Sequence, residues 1–194
     1  MATGSPSEVA ARVVSLASSR EPTLGRTRLV CVDGPAGSGK TTLGTEIAAR
    51  VGAQLVHGDD LMSGWAGLGA VGTQLAAVVD ALAAGRDATY SQWDWHLDRY
   101  ARTVPVPVAD WLVVEGVGSG SALIAPYVTV LVWVSVPDEL RLARGLARDG
   151  AGMAEHWQRF MLDERALFAA DDTEARADVL VDGTGAETPV VRRS

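Results

Sequence analysis

Apolar residues in this chain fall into two kinds of run, and their spacing separates them. Five short runs are nearly continuous: 27–33, 53–57, 111–114, 128–136 and 178–181. Unbroken runs of this length are expected of strands covered on both faces, as in a parallel sheet between helix layers. Elsewhere the apolar positions recur at helical spacing. Ser5-Pro6 precedes Glu8, Val9, Val13 and Leu16, a capped helix start with proline in the first turn. Leu43, Ile47, Ala48 and Val51 predict a helix over 41–51, and 73–84 predicts another, closed by Gly85. Pro137-Asp138 opens a further helix and 154–170 carries the last. Five glycines (58, 64, 67, 69, 72) make 58–72 a loop, and 183–194 is expected to be a flexible tail. Strands alternating with helices predict an α/β fold, a three-layer α/β/α domain around a mainly parallel five-stranded sheet.

Composition narrows the class. A chain of 194 residues, 47% apolar and 21% charged, suits one globular domain. A net charge of −7 without any lysine cluster argues against a sequence-blind nucleic-acid binder, which needs cations to displace phosphate counterions. Lone Cys31 excludes an internal disulfide and any multi-cysteine metal site, and fits a reducing compartment. The first 25 residues hold no signal-type apolar run, and 128–136, interrupted by Thr129 and Ser135, is too short to span a bilayer. The expectation is a cytoplasmic protein, monomer or homodimer, with neither nucleic acid nor membrane as partner.

Of the 17 basic residues, all but Lys40 are arginine, and that lysine stands in the one motif that requires it. Gly34-Pro-Ala-Gly-Ser-Gly-Lys40-Thr41 satisfies the phosphate-loop pattern between a predicted strand and a predicted helix. Gly34, Gly37 and Gly39 allow a tight turn whose N–H groups point inward, and the helix beginning at Lys40 adds its positive end. Gly34, Ala36, Gly37, Ser38, Gly39, Lys40, Thr41 and Thr42 are therefore the candidate nucleotide-binding residues. Lys40 is placed to bridge β- and γ-phosphates and Thr41 to ligate Mg²⁺. The chain has no asparagine and no second lysine, so the guanine-reading element of GTPases is absent. No adjacent acidic pair ends a later strand, as ATPase motors require. Instead Glu115 alone ends the buried run 111–114, suited to holding Mg²⁺ directly or through water.

Asp59 and Asp60 follow the second predicted strand. In a parallel sheet the carboxyl ends of the strands face the ligand crevice, so this tip is expected near the phosphate loop. Asp59 is the candidate base that accepts the proton of an attacking hydroxyl; Asp60 is a second candidate on the substrate side or a water-mediated Mg²⁺ ligand, and turn capping is the alternative for either.

Val32-Asp-Gly-Pro-Ala-Gly-Ser-Gly-Lys-Thr-Thr42, Val56-His-Gly-Asp-Asp60, Trp93-Asp94-Trp95, Leu112-Val-Val-Glu-Gly116 and the arginines 141, 144 and 148 occur in an order that resembles uridine kinases and related nucleoside and riboside kinases. The similarity spans 28–182 and is dense only in these blocks. It implies a phosphate-loop kinase using ATP and Mg²⁺, a base at Asp59, and a mobile lid carrying arginines. The acceptor segments depart from that pattern. Asp98 stands where a pyrimidine-contacting histidine falls, Met62 replaces a tyrosine, and Gly64-Trp65-Ala-Gly-Leu68 does not match the ribose-gripping segment. The resemblance thus implies a hydroxyl-directed kinase acting on a nucleoside-like or sugar-like small molecule, with the acceptor open.

Arg141, Arg144 and Arg148 share one helical face; Arg144 and Arg148 are candidates for neutralising transferred charge, and Arg141 for a solvated position. Trp65, Trp93 and Trp95 are expected to wall the acceptor pocket with Asp94 and Arg99, while Trp111, Trp133 and Trp157 read as core. The expected organisation is a packed N-terminal helix within 1–25, a kinase domain over 26–182 with a short lid near 148–154, and the tail. Two alternatives stay open: a nucleoside monophosphate kinase clamping a second phosphate with Arg86, Arg99 and Arg102, and a nucleotide-binding accessory module without acceptor chemistry.

Overall fold

The computed structural model describes residues 4–192; the outermost ends of the N-terminal segment and of the tail lie outside the described residues. The elements alternate as the apolar runs predict. In chain order they are α1 (Pro6–Ser18), β1 (Arg28–Asp33), α2 (Lys40–Val51), β2 (Gln54–His57) and α3 (Val71–Ala83). A hairpin of β3 (Ala88–Asp94) and β4 (Arg99–Val106) precedes β5 (Trp111–Glu115), β6 (Val130–Ser135) and α4 (Asp138–Asp149). Then come α5 (Ala154–Asp171), the single turn α6 (Thr173–Arg176), β7 (Val179–Asp182) and β8 (Val190–Val191).

The main sheet runs β2-β5-β1-β6-β7-β8, parallel except for the last pair. It therefore has six strands rather than five. The extra strand lies within the expected flexible tail: Val190 and Val191 pair with Leu180 and Val179, and Arg192 N–H donates to Asp178 O at 2.7 Å. Asp182 organises the turn between them by accepting from the backbone N–H groups of Thr184, Ala186 and Glu187.

Alternate residues of β1 feed opposite faces. Val30 and Val32 join Val9, Val13, Leu43 and Ile47, so α1 and α2 cover one side. Leu29 and Cys31 join Leu75, Val78, Leu82 and Phe160, so α3 and α5 cover the other. This double coverage is the reason the strand runs are unbroken. The hairpin has a different pattern. On β3 only Ala88 and Tyr90 are buried, and most of β4 is exposed, so its alternation is weak and short. No helix among the described residues is long and apolar enough to cross a membrane.

Helices α4 and α5 pack through a contact that needs glycine. A Cβ at Gly145 would sit 2.2 Å from the Trp157 ring. Gly145→Ala is expected to push the two helices apart and destabilise the protein by about 1–3 kcal/mol. Thermal unfolding tests this, with Trp157→Leu expected to recover part of the loss in the double variant.

Candidate active site

The site grows from the carboxyl ends of β1, β2 and β5. Leaving β1, the chain passes so close to β6 that a Cβ at Gly34 would lie 2.1 Å from Val134 O. It then turns to begin α2 at Lys40. No side chain caps this helix start, so its first N–H groups face outward without a side-chain partner, an arrangement suited to an anion.

The loop is clamped from behind. Buried Glu164 of α5 accepts the Ala36 N–H at 2.8 Å and pairs with buried Arg141 of α4, whose Nε also donates to Asp138. Gly37 packs on Arg141 itself: a Cβ there would meet Arg141 O at 2.8 Å. Arg141 is thus structural and 1% exposed, not on a solvated face.

Three carboxylates converge on the loop from the front and below. Asp33, fully buried, accepts backbone N–H groups from Gly34, Gly118 and Gly120 at 2.7, 3.0 and 2.7 Å. Burial pushes its carboxyl up to about 6, against those hydrogen bonds and the Lys40 charge. Glu115, 4% exposed, accepts Thr41 Oγ1–H at 3.2 Å and lies 2.6 Å from His57 Nδ1. This hydrogen bond raises the His57 imidazole above its ordinary range, with burial opposing. Asp59 opens onto the cavity. The surrounding protein raises its carboxyl, while the charges of Lys40, Arg148 and His57 act the other way. Lys40 is itself buried and donates to Pro35 O at 2.9 Å. Burial lowers its ammonium, opposed by Asp33, Glu115, Asp59 and Glu164.

A cavity of about 490 Å³ lies in front of these groups. Ala36, Gly37, Gly39, Lys40, Thr41, Asp59, Trp65, Glu115, Arg144 and Arg148 all line it. So does Trp95, expected there with Trp65, and so do several residues that sequence reasoning assigned elsewhere or missed: Met62, Val117, Asp149, Trp157 and Phe160. Trp65 is the hub of the aromatic wall, with ring centroids 5.9 Å from Trp95, 6.1 Å from Trp157 and 5.7 Å from Phe160. Trp157 is core by burial and wall by position, because its ring fills the notch at Gly145. Arg148 lies over that ring and is held by Asp149, which also accepts Trp157 Nε1–H.

Other expected site residues lie away from this cavity. Asp94 accepts the N–H groups of His96 and Leu97 at 2.9 Å and so builds the hairpin turn, which holds its carboxyl below the usual range. Arg99 pairs opposite Asp94 on the exposed strand. Trp93 packs edge-on against Tyr100 instead of facing the cavity. Asp60 accepts the Tyr90 hydroxyl at 3.1 Å. The hairpin explains Trp93, Asp94 and Arg99, and its Tyr90 engages Asp60: once 88–106 folds as paired strands, successive side chains point to opposite faces, and only Trp95 beyond the last pair reaches the cavity. Its Nε1 donates to Asp59 O at 3.2 Å. Gly34 is absorbed in the turn, while Ser38 and Thr42 line a second hollow of about 410 Å³ with Gly37, Gly39 and Arg144.

The arrangement suits a nucleotide triphosphate with Mg²⁺. The uncapped start of α2 and the buried Lys40 fit phosphate oxygens, and Thr41 with Glu115 offers two adjacent oxygens to a metal. Among the described residues no group of three or more His, Cys, Asp or Glu side chains is placed to hold a metal by itself. A divalent ion here would complete its shell with phosphate and water, as Mg²⁺ commonly does.

No protein-family model matches the chain, and no curated protein matches it. Solved structures do. A possible uridine kinase from Bacillus stearothermophilus is 21% identical with a TM-score of 0.60, covering 90% of this chain and 100% of that one. A candidate fructose transport system kinase from a Silicibacter species is 20% identical with a TM-score of 0.59, covering 86% and 95%. D-glycerate 3-kinase from Cryptococcus neoformans is 14% identical with a TM-score of 0.54, covering 92% and 96%. The chain has the fold of these phosphate-loop kinases.

The Asp33 geometry sets a pH dependence. Its carboxyl is raised in the folded protein, so between about pH 4 and pH 6 the native state binds more protons there than the unfolded chain. Stability owed to this group therefore falls as pH rises through that window. The difference in unfolding free energy between wild type and Asp33→Asn, measured by denaturation from pH 4 to 7, is expected to shift against wild type across the window and level off above it.

Proposed function

We propose that this protein is an ATP- and Mg²⁺-dependent kinase that phosphorylates a hydroxyl group of a small, nucleoside-like or sugar-like metabolite. The observation that carries the proposal is Asp59: a carboxylate lining one cavity with the phosphate loop on one side and an aromatic wall on the other.

The donor's phosphates would be held by the backbone of the phosphate loop, by Lys40 and by the α2 start. Its nucleoside end would extend into the second hollow, which contains neither Asp59 nor Glu115. Thr41 and Glu115 would hold Mg²⁺, with His57 fixing the Glu115 carboxylate. Bound Mg²⁺ supplies charge neutralisation at the transferred phosphoryl group. Asp59 receives the acceptor's hydroxyl proton as the oxygen attacks. Its raised pKa brings it closer to neutrality, where a base is most effective. Arg144 and Arg148 offset the charge on the transferring phosphoryl, Arg148 being oriented by Asp149 and Trp157. Trp65, Trp95, Trp157 and Phe160 exclude water and give the acceptor a stacking surface.

Binding of a phosphorylated acceptor has less support. Among the described residues the arginines and lysine lining the cavity are Lys40, Arg144 and Arg148; Lys40 and Arg144 donate to the phosphate loop, and Arg148 lies over Trp157. Arg86, Arg99 and Arg102, which a monophosphate kinase would need, do not line it. A protein of soluble-enzyme character, monomeric or homodimeric and cytoplasmic, without nucleic-acid or membrane partner, completes the proposal.

A mass-spectrometric screen of metabolites incubated with enzyme and Mg·ATP tests the reaction: the expected product is a phosphomonoester of an unphosphorylated alcohol. Products that are all diphosphates, or no transfer across the panel despite ATP binding, would overturn it. With the acceptor in hand, Asp59→Asn is expected to lower kcat by about 10²–10⁴-fold with Mg·ADP affinity nearly unchanged, whereas Lys40→Ala loses both.

A further inference from the structure

The second hollow has a wall that no phosphate-loop motif predicts. Beside Ser38, Thr42 and Leu43 it is lined by Pro6 and Val9 of α1 and, opposite, by the turn 182–185. Helix α1 precedes the phosphate-loop strand in the chain, and its buried residues Val9, Ala10, Val13 and Ala17 describe it as packing on the sheet. Its first turn does more than pack.

That turn is fixed by its own hydrogen bonds. Ser5 accepts the Glu8 N–H and the Glu8 side chain accepts the Ser5 N–H, closing the helix start. Arg50 of α2 donates to Ser7 O at 3.0 Å and to Ser7 Oγ at 2.8 Å. On the other side, Gly4 touches the C-terminal turn: a Cβ there would lie 2.8 Å from Glu187 O and 3.3 Å from Gly185 O. The two segments thus meet and close one side of the hollow.

The lining is chemically divided. Pro6, Val9, Leu43, Val134 and Val181 are apolar. The Asp182 carboxylate is already engaged by Thr184 and the N–H groups of Ala186 and Glu187. Arg144 spans the mouth, donating to Gly37 O at 3.2 Å and Gly183 O at 3.4 Å. Ser38 is fully buried in this wall, and its hydroxyl has no hydrogen-bond partner among the described residues. An apolar slot with a guanidinium at its mouth and an unpartnered hydroxyl in its wall suits a flat, uncharged ring attached to a phosphate chain.

We propose that the first turn of α1 is part of the nucleotide-donor site, with Pro6 and Val9 forming the apolar wall against which the donor's base packs. This rests on the reading of the phosphate loop as a nucleotide site and adds a segment to it. The wall is preformed, because the capping box and the Arg50 bonds hold it without any ligand. Base binding then orders no loop at this wall, which favours affinity.

The test is photolabelling of the full-length protein with Mg²⁺ and an ADP analogue carrying an azide on its base, followed by peptide mapping. Adducts within 4–9 are expected. It is paired with Mg·ADP titration calorimetry on Pro6→Glu, whose carboxylate sits well at a helix N-terminus but puts a charge into the apolar wall assigned to the base. Pro6→Glu is expected to weaken Mg·ADP at least fivefold, and Ala11→Glu, an equal charge change on the exposed side of the same helix, less than twofold. Adducts at 182–185 with none at 4–9, or equal affinities for the two variants, overturn the role of α1 and leave the nucleotide site standing. Adducts on Trp65 or Trp95, or no saturable labelling at all, overturn both.

Discussion

The ammonium group of Lys40 sits almost out of water at the carboxyl edge of the sheet, and much of the molecule is arranged so that this charge can stay there. A buried cation alone is costly enough that the lysine would shed its proton. Here Asp33, Glu115, Asp59 and Glu164 surround it, each from a different element. Three of these carboxylates carry a second duty that keeps them in place. Asp33 gathers the N–H groups of the loop after β5, Glu115 is tied to Thr41 and His57, and Glu164 holds Ala36 and Arg141. The compensation is therefore a framework as well as a charge balance: removing Asp33, Glu115 or Glu164 loosens a loop as it unbalances the lysine.

That framework also makes a two-sided loop. Residues 34–39 rise between the main cavity and the second hollow, and Gly37, Gly39 and Arg144 border both. Carboxylates face the main cavity, where in the proposed reaction a hydroxyl would lose a proton. The hollow is mostly apolar, with its acidic residue already hydrogen-bonded. A phosphate chain lying along the loop would have its reacting end and its carrier end in environments of opposite character. The clamp by α4 and α5 behind the loop holds that division still while Arg144 and Arg148, on the same helix, look into the cavity.

Much of this was legible in the sequence where the signal is local. The phosphate loop is contiguous, and its strand and helix are its neighbours in the chain. Asp59 and Glu115 could be placed because strand ends in a parallel sheet share one edge. What escaped depends on partners distant in sequence. The His57–Glu115 bond needs β2 and β5 to be neighbours in register, which only the strand order reveals. Arg141 looked solvated because its helical face carries two other arginines, and nothing nearby in sequence announces Glu164, 23 residues on in the next helix. The hairpin was hidden by its exposed second strand, and with it the true directions of Trp93, Asp94 and Arg99. The terminal strand β8 is two residues long, too short for any periodicity.

The aromatic wall shows why residue type alone misassigned some of its members. Trp65 comes from the glycine-rich loop, Trp95 from the hairpin turn, and Trp157 and Phe160 from α5, so no single segment carries the pattern. Their contact is set by a backbone feature, the missing Cβ of Gly145, which lets the Trp157 ring sink against α4 and leaves an edge for Trp65. A tryptophan at helical spacing is ordinarily core, and Trp157 is buried like one. Its indole N–H, however, is bonded to Asp149, and its face lies beneath Arg148. The same ring that packs the two helices together thus aims the arginine at the cavity, so that stability of the α4–α5 pair and orientation of a cavity-facing charge are one interaction rather than two.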